Sequence, residues 1–365
     1  MKRYALLAAA TLVASACSGG TKESTAGTST GAAATTATTT SSNADLTGAG
    51  SSFAYPIYSR WASDYAAKTG VHVNYQSIGS SGGIRQLSEQ VVDFGATDGP
   101  MTDQQLAGAK GGPILHIPTV LGGVSITYNL PELKQPLRLT GPVLAGIYLG
   151  TITKWNDPQI TALNPGVQLP ARDIVVAHRS DGSGTSYIFT DYLSTVSPQW
   201  LAKVGRGQSL NWPVGLGSKG SEGVSGSVKQ TPGAIGYVEL SYATQNKLPS
   251  ALIQNAAGAW VAPTLQSVTA AASGAAAKLP PNSDYRISIV NAPGKDAYPI
   301  SSFTWIILYK NQKDAKKGKA LVDFIRWGLT DGEKVAPSLD YAPLPSSMVS
   351  ALQQRLDSVN VGGGK

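Results

Sequence analysis

The sequence predicts an α/β chain, and three observations carry the prediction. Short apolar runs with strand character alternate with segments whose apolar residues recur at helical spacing. At three of the strand-to-helix junctions the connecting residues are glycines and hydroxyl side chains. The stretch 45–365 is long enough for two domains, apolar enough for sizeable cores, and free of cysteine, so it forms no disulfide.

Before that stretch comes a segment that is not part of the fold. Met1-Lys2-Arg3 and the apolar run from Tyr4 to Val13 have the form of a secretory signal, with a core too short to span a bilayer. Ala14-Ser15-Ala16-Cys17 closes it with small residues and the only cysteine of the sequence. Followed by Ser18-Gly19-Gly20, Cys17 resembles the lipid-attachment box of bacterial lipoproteins, although alanine rather than leucine precedes Ser15. That makes 1–17 a signal peptide and Cys17 the candidate lipidation site; the plain alternative is a simple cleavage site with a stray thiol. From 18 to 44 the chain is mostly Ser, Thr, Gly and Ala. It buries too little apolar surface to offset the entropy of ordering, so a flexible tether is expected.

The elements of 45–365 follow in order. Gly48-Ala49-Gly50-Ser51-Ser52-Phe53-Ala54-Tyr55-Pro56 opens a helix whose apolar face is Ile57, Tyr58, Trp61, Ala62 and Tyr65. Proline in the first turn and Gly70 past the last turn fit that helix. Val71-His72-Val73-Asn74-Tyr75 has strand character, and Gly79-Ser80-Ser81-Gly82-Gly83 then precedes Ile84-Arg85-Gln86-Leu87. Ile174-Val175-Val176-Ala177 is another strand, followed by His178-Arg179-Ser180-Asp181-Gly182-Ser183-Gly184-Thr185-Ser186. Ile188, Phe189, Tyr192, Leu193 and Val196 continue at helical spacing. Ala320 to Trp327 forms a late amphipathic helix, and the closing Gly362-Gly363-Gly364-Lys365 is expected to be disordered.

A glycine- and hydroxyl-rich helix start leaves backbone N–H groups unpaired, and the helix dipole adds to their attraction for an anion. Arg179 supplies a planar fork of donors suited to a tetrahedral oxyanion, and Asp181 can hold that guanidinium in place. A single such segment reads equally well as a surface turn with an ordinary ion pair. Three in one chain point to a shared ligand.

These residues carry a close resemblance. Gly48–Phe53, Tyr75–Gly83, Val92-Asp93-Phe94-Gly95-Ala96-Thr97-Asp98 and Arg179–Ser186 resemble the signature of the phosphate-binding proteins of bacterial ABC-type phosphate uptake. Trp212–Gly217 and Pro232–Glu239 match family stretches too, and the likeness runs in order from about Asp45 to Leu356. Three departures are small: Ser52 stands where threonine is usual, Thr97 and Gly99 flank Asp98 where serine and alanine are commoner, and His178 replaces a frequent arginine. The resemblance implies the two-lobed, type II periplasmic binding protein fold, with mixed sheets, flanking helices and a two-strand hinge. The hinge strands would be 120–128 and 298–308. Lobe one would be 45–125 plus 300–365, and lobe two 126–299. It further implies a monomer in the periplasm or cell envelope, anchored to the membrane through a lipid on Cys17, with the permease and ATPase subunits of an importer as partners.

The site so implied comprises Ser52, Phe53, Ser80, Asp98, Arg179, Ser183, Gly184 and Thr185, supported by Asp181. Hydroxyls of Ser52, Ser80, Ser183 and Thr185, N–H groups of Phe53, Gly184 and Thr185, and the Arg179 fork would surround inorganic phosphate. Asp98 is the odd member, since a carboxylate repels an anion unless the ligand brings a proton. Phosphate keeps one near neutral pH and sulfate keeps none, so Asp98 as acceptor selects phosphate.

Other chemistries are poorly served. Three histidines (His72, His116, His178) and one cysteine offer no soft-metal cluster, and no cofactor is called for. Ser183 lacks the Gly-x-Ser-x-Gly elbow. Gly215-Leu216-Gly217-Ser218-Lys219-Gly220 matches the dinucleotide spacing but follows Trp212-Pro213 and no clear strand. The chain is basic, with 29 Lys and Arg against 22 Asp and Glu. Its one cluster, Lys310, Lys313, Lys316, Lys317 and Lys319, lacks interleaved aromatics, so it reads as a solvated helix approach and not a nucleic-acid surface. A phosphate-ester hydrolase using the same cradle, or a receptor for another oxyanion, remains as an alternative.

Overall fold

The computed structural model describes residues 44–276 and 284–362. The expectations for the leader 1–17, for lipidation of Cys17, for the tether up to residue 43 and for residues 363–365 lie outside the described residues.

The first third alternates as the sequence predicts: β1 (Leu46–Gly50), α1 (Tyr55–Thr69), β2 (Val73–Ser77), α2 (Ser80–Ser88), β3 (Phe94–Thr97) and α3 (Asp103–Ala107). The long strand β4 (Ile114–Tyr128) leads to β5 (Arg138–Leu139), α4 (Gly141–Tyr148), α5 (Pro158–Thr161), β6 (Val175–Arg179), α6 (Gly184–Val196) and α7 (Pro198–Lys203). There follow β7 (Leu216–Ser218), α8 (Gly220–Gln230), β8 (Ala234–Glu239), α9 (Leu240–Gln245), β9 (Leu252–Gln254), β10 (Trp260–Val261) and α10 (Leu265–Ala276). The chain closes with β11 (Ser301–Tyr309), α11 (Ala315–Gly328), a 3₁₀ segment (Gly332–Leu339) and α12 (Ser346–Asp357).

Eight strands lie side by side in the order β2-β1-β3-β11-β4-β8-β6-β7, and β10-β9-β5 form a small separate sheet. β1, β2 and β3 are mutually parallel, as are β6, β7 and β8. Antiparallel steps join β3 to β11, β11 to β4 and β4 to β8. The two parallel trios therefore run in opposite directions, and β4 fixes where each stops. β3 ends with Thr97 opposite Trp305, which in turn faces Pro118 of β4. β8 ends with Glu239 opposite Val124. The carboxyl ends of both trios thus meet over 118–124, where an open α/β sheet places its ligands.

Each trio has its own aromatic packing. Trp61 and Tyr65 of α1 meet Phe324 of α11 at 6.5 and 5.3 Å between ring centres, and Trp61 Nε1 donates to Gly332 O at 2.9 Å. On the other side Phe189 stacks on Tyr237 at 4.5 Å and meets Tyr148 at 4.7 Å. Of the seven tryptophans, Trp61, Trp155, Trp200 and Trp305 are fully buried, as core residues should be. α1 ends on Gly70, whose φ of 74° takes the left-handed cap that a side chain would strain.

No strand precedes the segment 215–220, as its sequence reading has it, but the segment is not a plain loop. A short strand, β7, lies inside it, and α8 begins at Gly220. Three residues are too few to show an alternation, and the strand exists because β6 supplies its hydrogen-bonded partner. Two members of the lysine cluster form ion pairs, Lys317 with Asp93 at 3.1 Å and Lys319 with Asp323 at 2.6 Å.

β4 passes Gly122 directly under the buried ring of Phe53. A Cβ at that position would stand 2.6 Å from Phe53 Cε1 and closer still to Cζ. Gly122→Ala is therefore expected to lower stability by about 1–3 kcal/mol through overpacking, seen as a lower urea midpoint with an unchanged m-value.

Candidate functional site

Four helices point their amino ends at the meeting place of the trios. α1 follows β1, α2 follows β2, α6 follows β6 and α8 follows β7. Their first N–H groups have no acceptor inside their own helices. Some are taken up across the site. Ser81 N–H donates to Gly182 O at 3.0 Å, Gly220 N–H to Asp181 Oδ1 at 3.0 Å and Ser221 N–H to Ser52 Oγ at 3.2 Å. Gly184 and Thr185 occupy the first two positions of α6, and Ser183 caps it through its Oγ, which accepts from Ser186 N–H at 3.1 Å. That leaves the Ser183 hydroxyl proton and the first two N–H groups of α6 facing outward.

Arg179 ends β6 with its side chain only 1 % exposed. Its Nε and Nη2 donate to Asp181 at 2.7 and 2.5 Å, and Nη1 lies 3.5 Å from Thr185 Oγ1. Burial acts to raise the Asp181 carboxyl, but the bonds and charge of Arg179 and the Gly220 N–H outweigh it and hold Asp181 below its ordinary range. Underneath, the Tyr237 hydroxyl accepts Arg179 N–H at 3.0 Å and bonds Ser186 Oγ at 2.7 Å. The guanidinium is thus set by a rigid floor and a carboxylate clamp.

Asp98 follows β3 on the opposite side and is 1 % exposed. No lysine or arginine pairs with it among the described residues. Hydroxyls do: Ser51 Oγ is 2.6 Å from both carboxylate oxygens, and Thr304 Oγ1 donates to Oδ1 at 2.7 Å. Ser80 Oγ is more distant, 3.4 Å from Oδ2. Burial pushes the carboxyl up from 3.8 to about 6, against the pull of Ser51, Thr304 and the Arg179 charge. The two sides come close together here. A Cβ on Gly184 would be 2.5 Å from both Asp98 Oδ2 and Ser80 Oγ.

The structure therefore brings Ser80, Asp98 and Gly184 into one spot, with Arg179 and Thr185 joined and Ser183 capping the same helix. Ser52 stands at its edge, bonded to Ser221 Oγ at 3.1 Å. Phe53 offers only its backbone, because its ring is fully buried and its carbonyl accepts from the Tyr341 hydroxyl at 2.5 Å. His178 is turned aside, its ring stacked on Trp212 at 4.9 Å. Five neighbours escaped the sequence reading: Ser51, Thr304, Ser221, Gln208 and Tyr242. Gln208 Oε1 accepts from Ser81 Oγ at 2.8 Å while its amide donates to Gly99 O at 3.2 Å. Tyr242 donates to Ser52 O at 2.8 Å. Ser218-Lys219-Gly220-Ser221 was a fourth hydroxyl-rich helix start, and Ser301, Ser302 and Thr304 were polar residues in an otherwise apolar strand; both were legible signals. Among the described residues no group of three His, Cys, Asp or Glu could hold a metal ion, and no helix is long and apolar enough to cross a membrane.

Comparison with known proteins places the chain. A family model described as a PBP superfamily domain matches residues 28–331, which gives the class. The phosphate-binding protein PstS of Xylella fastidiosa (strain 9a5c) is 47 % identical over 309 residues, covering 84 % of each chain. PstS of Haemophilus influenzae is 44 % identical over 311 residues, 85 % of this chain and 92 % of that one. The crystal structure of the phosphate-binding protein from Stenotrophomonas maltophilia has the same fold, with a TM-score of 0.65 at 18 % identity, covering 88 % and 96 % of the two chains. The chain belongs to the phosphate-binding proteins of the PstS family.

Asp98 is held more basic in the fold than in an unfolded chain, so the folded form binds the extra proton. Stability without ligand should fall as pH rises from about 4 to about 6, by up to about 3 kcal/mol. Asp98→Asn removes that cost. Urea unfolding at pH 7.5 should show the variant more stable than wild type, with the gap closing toward pH 4.

Proposed function

We propose that the protein binds inorganic phosphate in the cell envelope and delivers it to an ABC-type phosphate importer. The observation that carries this reading is Asp98: a buried carboxylate that no cation pairs, set opposite Arg179 and the amino end of α6. Such a site suits an anion that also has a proton to give. The names of the relatives support phosphate as that anion.

In this reading the ligand lies between Asp98 and α6. Ser80, Ser183 and Thr185 hydroxyls, the Arg179 fork and the N–H groups of Phe53, Gly184 and Thr185 donate to it, with Ser52 completing the rim. Each bond to a charged partner contributes about 1.5–3 kcal/mol, so a handful of them, less the cost of association, reaches the roughly −8 kcal/mol of micromolar binding. Lobe one (45–125 plus 300–365) would carry Ser52, Phe53, Ser80 and Asp98, and lobe two (126–299) the Arg179–Thr185 segment. β4 and β11 would act as the hinge between them. The pairs Ser52–Ser221, Ser81–Gln208 and Tyr242–Ser52 would then be contacts of the closed form.

The protein acts here as a receptor and not as a hydrolase, working as a monomer with the importer's permease and ATPase subunits, and tethered through a lipid on Cys17. Incorporation of labelled fatty acid should be lost in Cys17→Ala. Turnover of a chromogenic phosphomonoester by clean protein would instead favour catalysis.

Calorimetry at pH 8 should give binding heat with phosphate and arsenate, and little with sulfate. The preference should narrow as pH falls through about 6, where Asp98 takes up a proton and can itself donate to sulfate. Asp98→Asn should reduce the sulfate-to-phosphate ratio of dissociation constants at pH 8 by at least about tenfold.

Gly184 tests the approach of the two sides. Its backbone is ordinary for any residue, but a methyl there would press on Asp98 and Ser80. Gly184→Ala should weaken phosphate binding by about 100-fold or more, the size of one or two lost charged hydrogen bonds. Without ligand the two lobes of this reading can part to relieve the contact, so the melting temperature should stay near wild type.

A further inference from the structure

We propose that Thr304, on the central strand β11, is the positioning residue that commits one oxygen of Asp98 and leaves the other for the ligand's proton. The inference rests on the reading of Asp98 as acceptor of a protonated oxyanion.

The two carboxylate oxygens are not equivalent. Thr304 Oγ1 is 2.7 Å from Oδ1, and its other acceptor, Thr97 O, is at 3.5 Å. A hydroxyl has one proton, so Thr304 gives it to Oδ1. Ser51 Oγ accepts from Ala54 N–H at 3.1 Å, which turns its own proton toward the carboxylate, 2.6 Å from either oxygen. On Oδ2 the remaining hydroxyl, Ser80, is 3.4 Å away, too long to saturate it. Gly184 lets the start of α6 approach Oδ2 closely, since a Cβ there would stand 2.5 Å from that atom. Oδ1 therefore holds the Thr304 proton, Ser51 is shared between the two oxygens, and Oδ2, with only the distant Ser80 besides, faces the amino end of α6.

The backbone explains why Thr304 can do this. The pairing of β11 with β4 runs Thr304 to Val120 and then Trp305 to Pro118, so Thr119 is passed over and the register shifts between Thr304 and Trp305. Such an irregularity re-aims side chains and is common beside functional sites. The Thr304 carbonyl accepts from Thr119 Oγ1 at 3.1 Å, and Thr119 is in turn bonded to the Tyr58 hydroxyl at 2.6 Å. The shifted residue thus pins the one that orients Asp98.

Arg179 from β6, Tyr58 from α1, Tyr75 from β2 and Tyr341 from beyond the 3₁₀ segment are the titratable groups that act on Asp98. Burial keeps the three phenols neutral, so Arg179 and the hydroxyl donors govern how readily Asp98 holds a proton.

Thr304→Val keeps the shape and removes the donor. Calorimetry with phosphate and sulfate from pH 5 to 9 should show phosphate bound about tenfold more weakly at pH 8, the size of one lost hydrogen bond to a charged group. The pH at which sulfate begins to compete should rise by about one unit, and Thr304→Ser should restore both. Thr304→Ala carries the same expectation should the valine variant not fold. A folded variant without the hydroxyl that keeps the wild-type pH profile would overturn the inference, as would failure of the serine variant to restore it. Wild type that binds no phosphate at all would bring down the reading of the site itself. Wild type that binds, with Asp98→Asn altering the preference and Thr304 variants leaving it unchanged, would remove Thr304 alone.

Discussion

Two parallel strand trios run at each other along a single long strand, and the ends they present are all of one kind. The carboxyl end of a parallel strand leads into the amino end of a helix, so each trio delivers unpaired N–H groups to the same place. Because β4 pairs with β11 over 114–123 and with β8 over 124–128, the two deliveries stop within a few residues of one another. Donors gathered this way cannot satisfy each other. Some find partners across the gap, as Ser81 does with Gly182 and Gly220 with Asp181. Those at the head of α6 do not, and the surplus defines the site.

Against that surplus the fold sets one buried acceptor at the site, Asp98. A buried carboxylate without a counter-ion is costly, and an ordinary core would not keep one. Here hydroxyls from β11 and from the turn after β1 lower the cost without adding positive charge. The balance leaves the Asp98 carboxyl at about 6: ionised at neutral pH, yet basic enough to hold a proton offered by a ligand. Had a lysine stood in place of Thr304, the carboxylate would be a spent ion pair with nothing left to accept. Using neutral donors keeps it available.

The strand-helix alternation and the three Gly/Ser helix starts could be read from the sequence because each is a local pattern of residue types. Asp98 could be placed because its surrounding residues resemble a family signature; alone it would have passed for a helix cap. Ser51 and Ser52 show where local reading stops. Adjacent serines in a turn look alike in sequence, but one bonds Asp98 within its own trio and the other reaches Ser221 across the gap. Phe53 divides in the same way, its ring belonging to the core under Gly122 and its backbone to the site. Thr304 depends on a register shift between two strands nearly two hundred residues apart in sequence, which no local pattern encodes. β7 before α8 was hidden for a related reason, since it becomes a strand only when β6 lies beside it.

Counting charges at the site gives an outcome opposite to that of a simple anion trap: one guanidinium, Arg179, against two carboxylates, Asp181 and Asp98. The arginine is already bonded twice to Asp181, so its long-range field is largely cancelled. In the proposed reading, net attraction then comes from dipoles a bond length or two away, the N–H groups of α6 and the hydroxyls of Ser80, Ser183 and Thr185. Dipoles act over short distances and in fixed directions, so they reward an ion that matches their positions more than one that is merely negative. A cluster of lysines would have drawn phosphate and sulfate alike. In the reading proposed for the site, which is not positive overall and has one acceptor among many donors, ions of the same shape are distinguished by the number of hydrogens they carry.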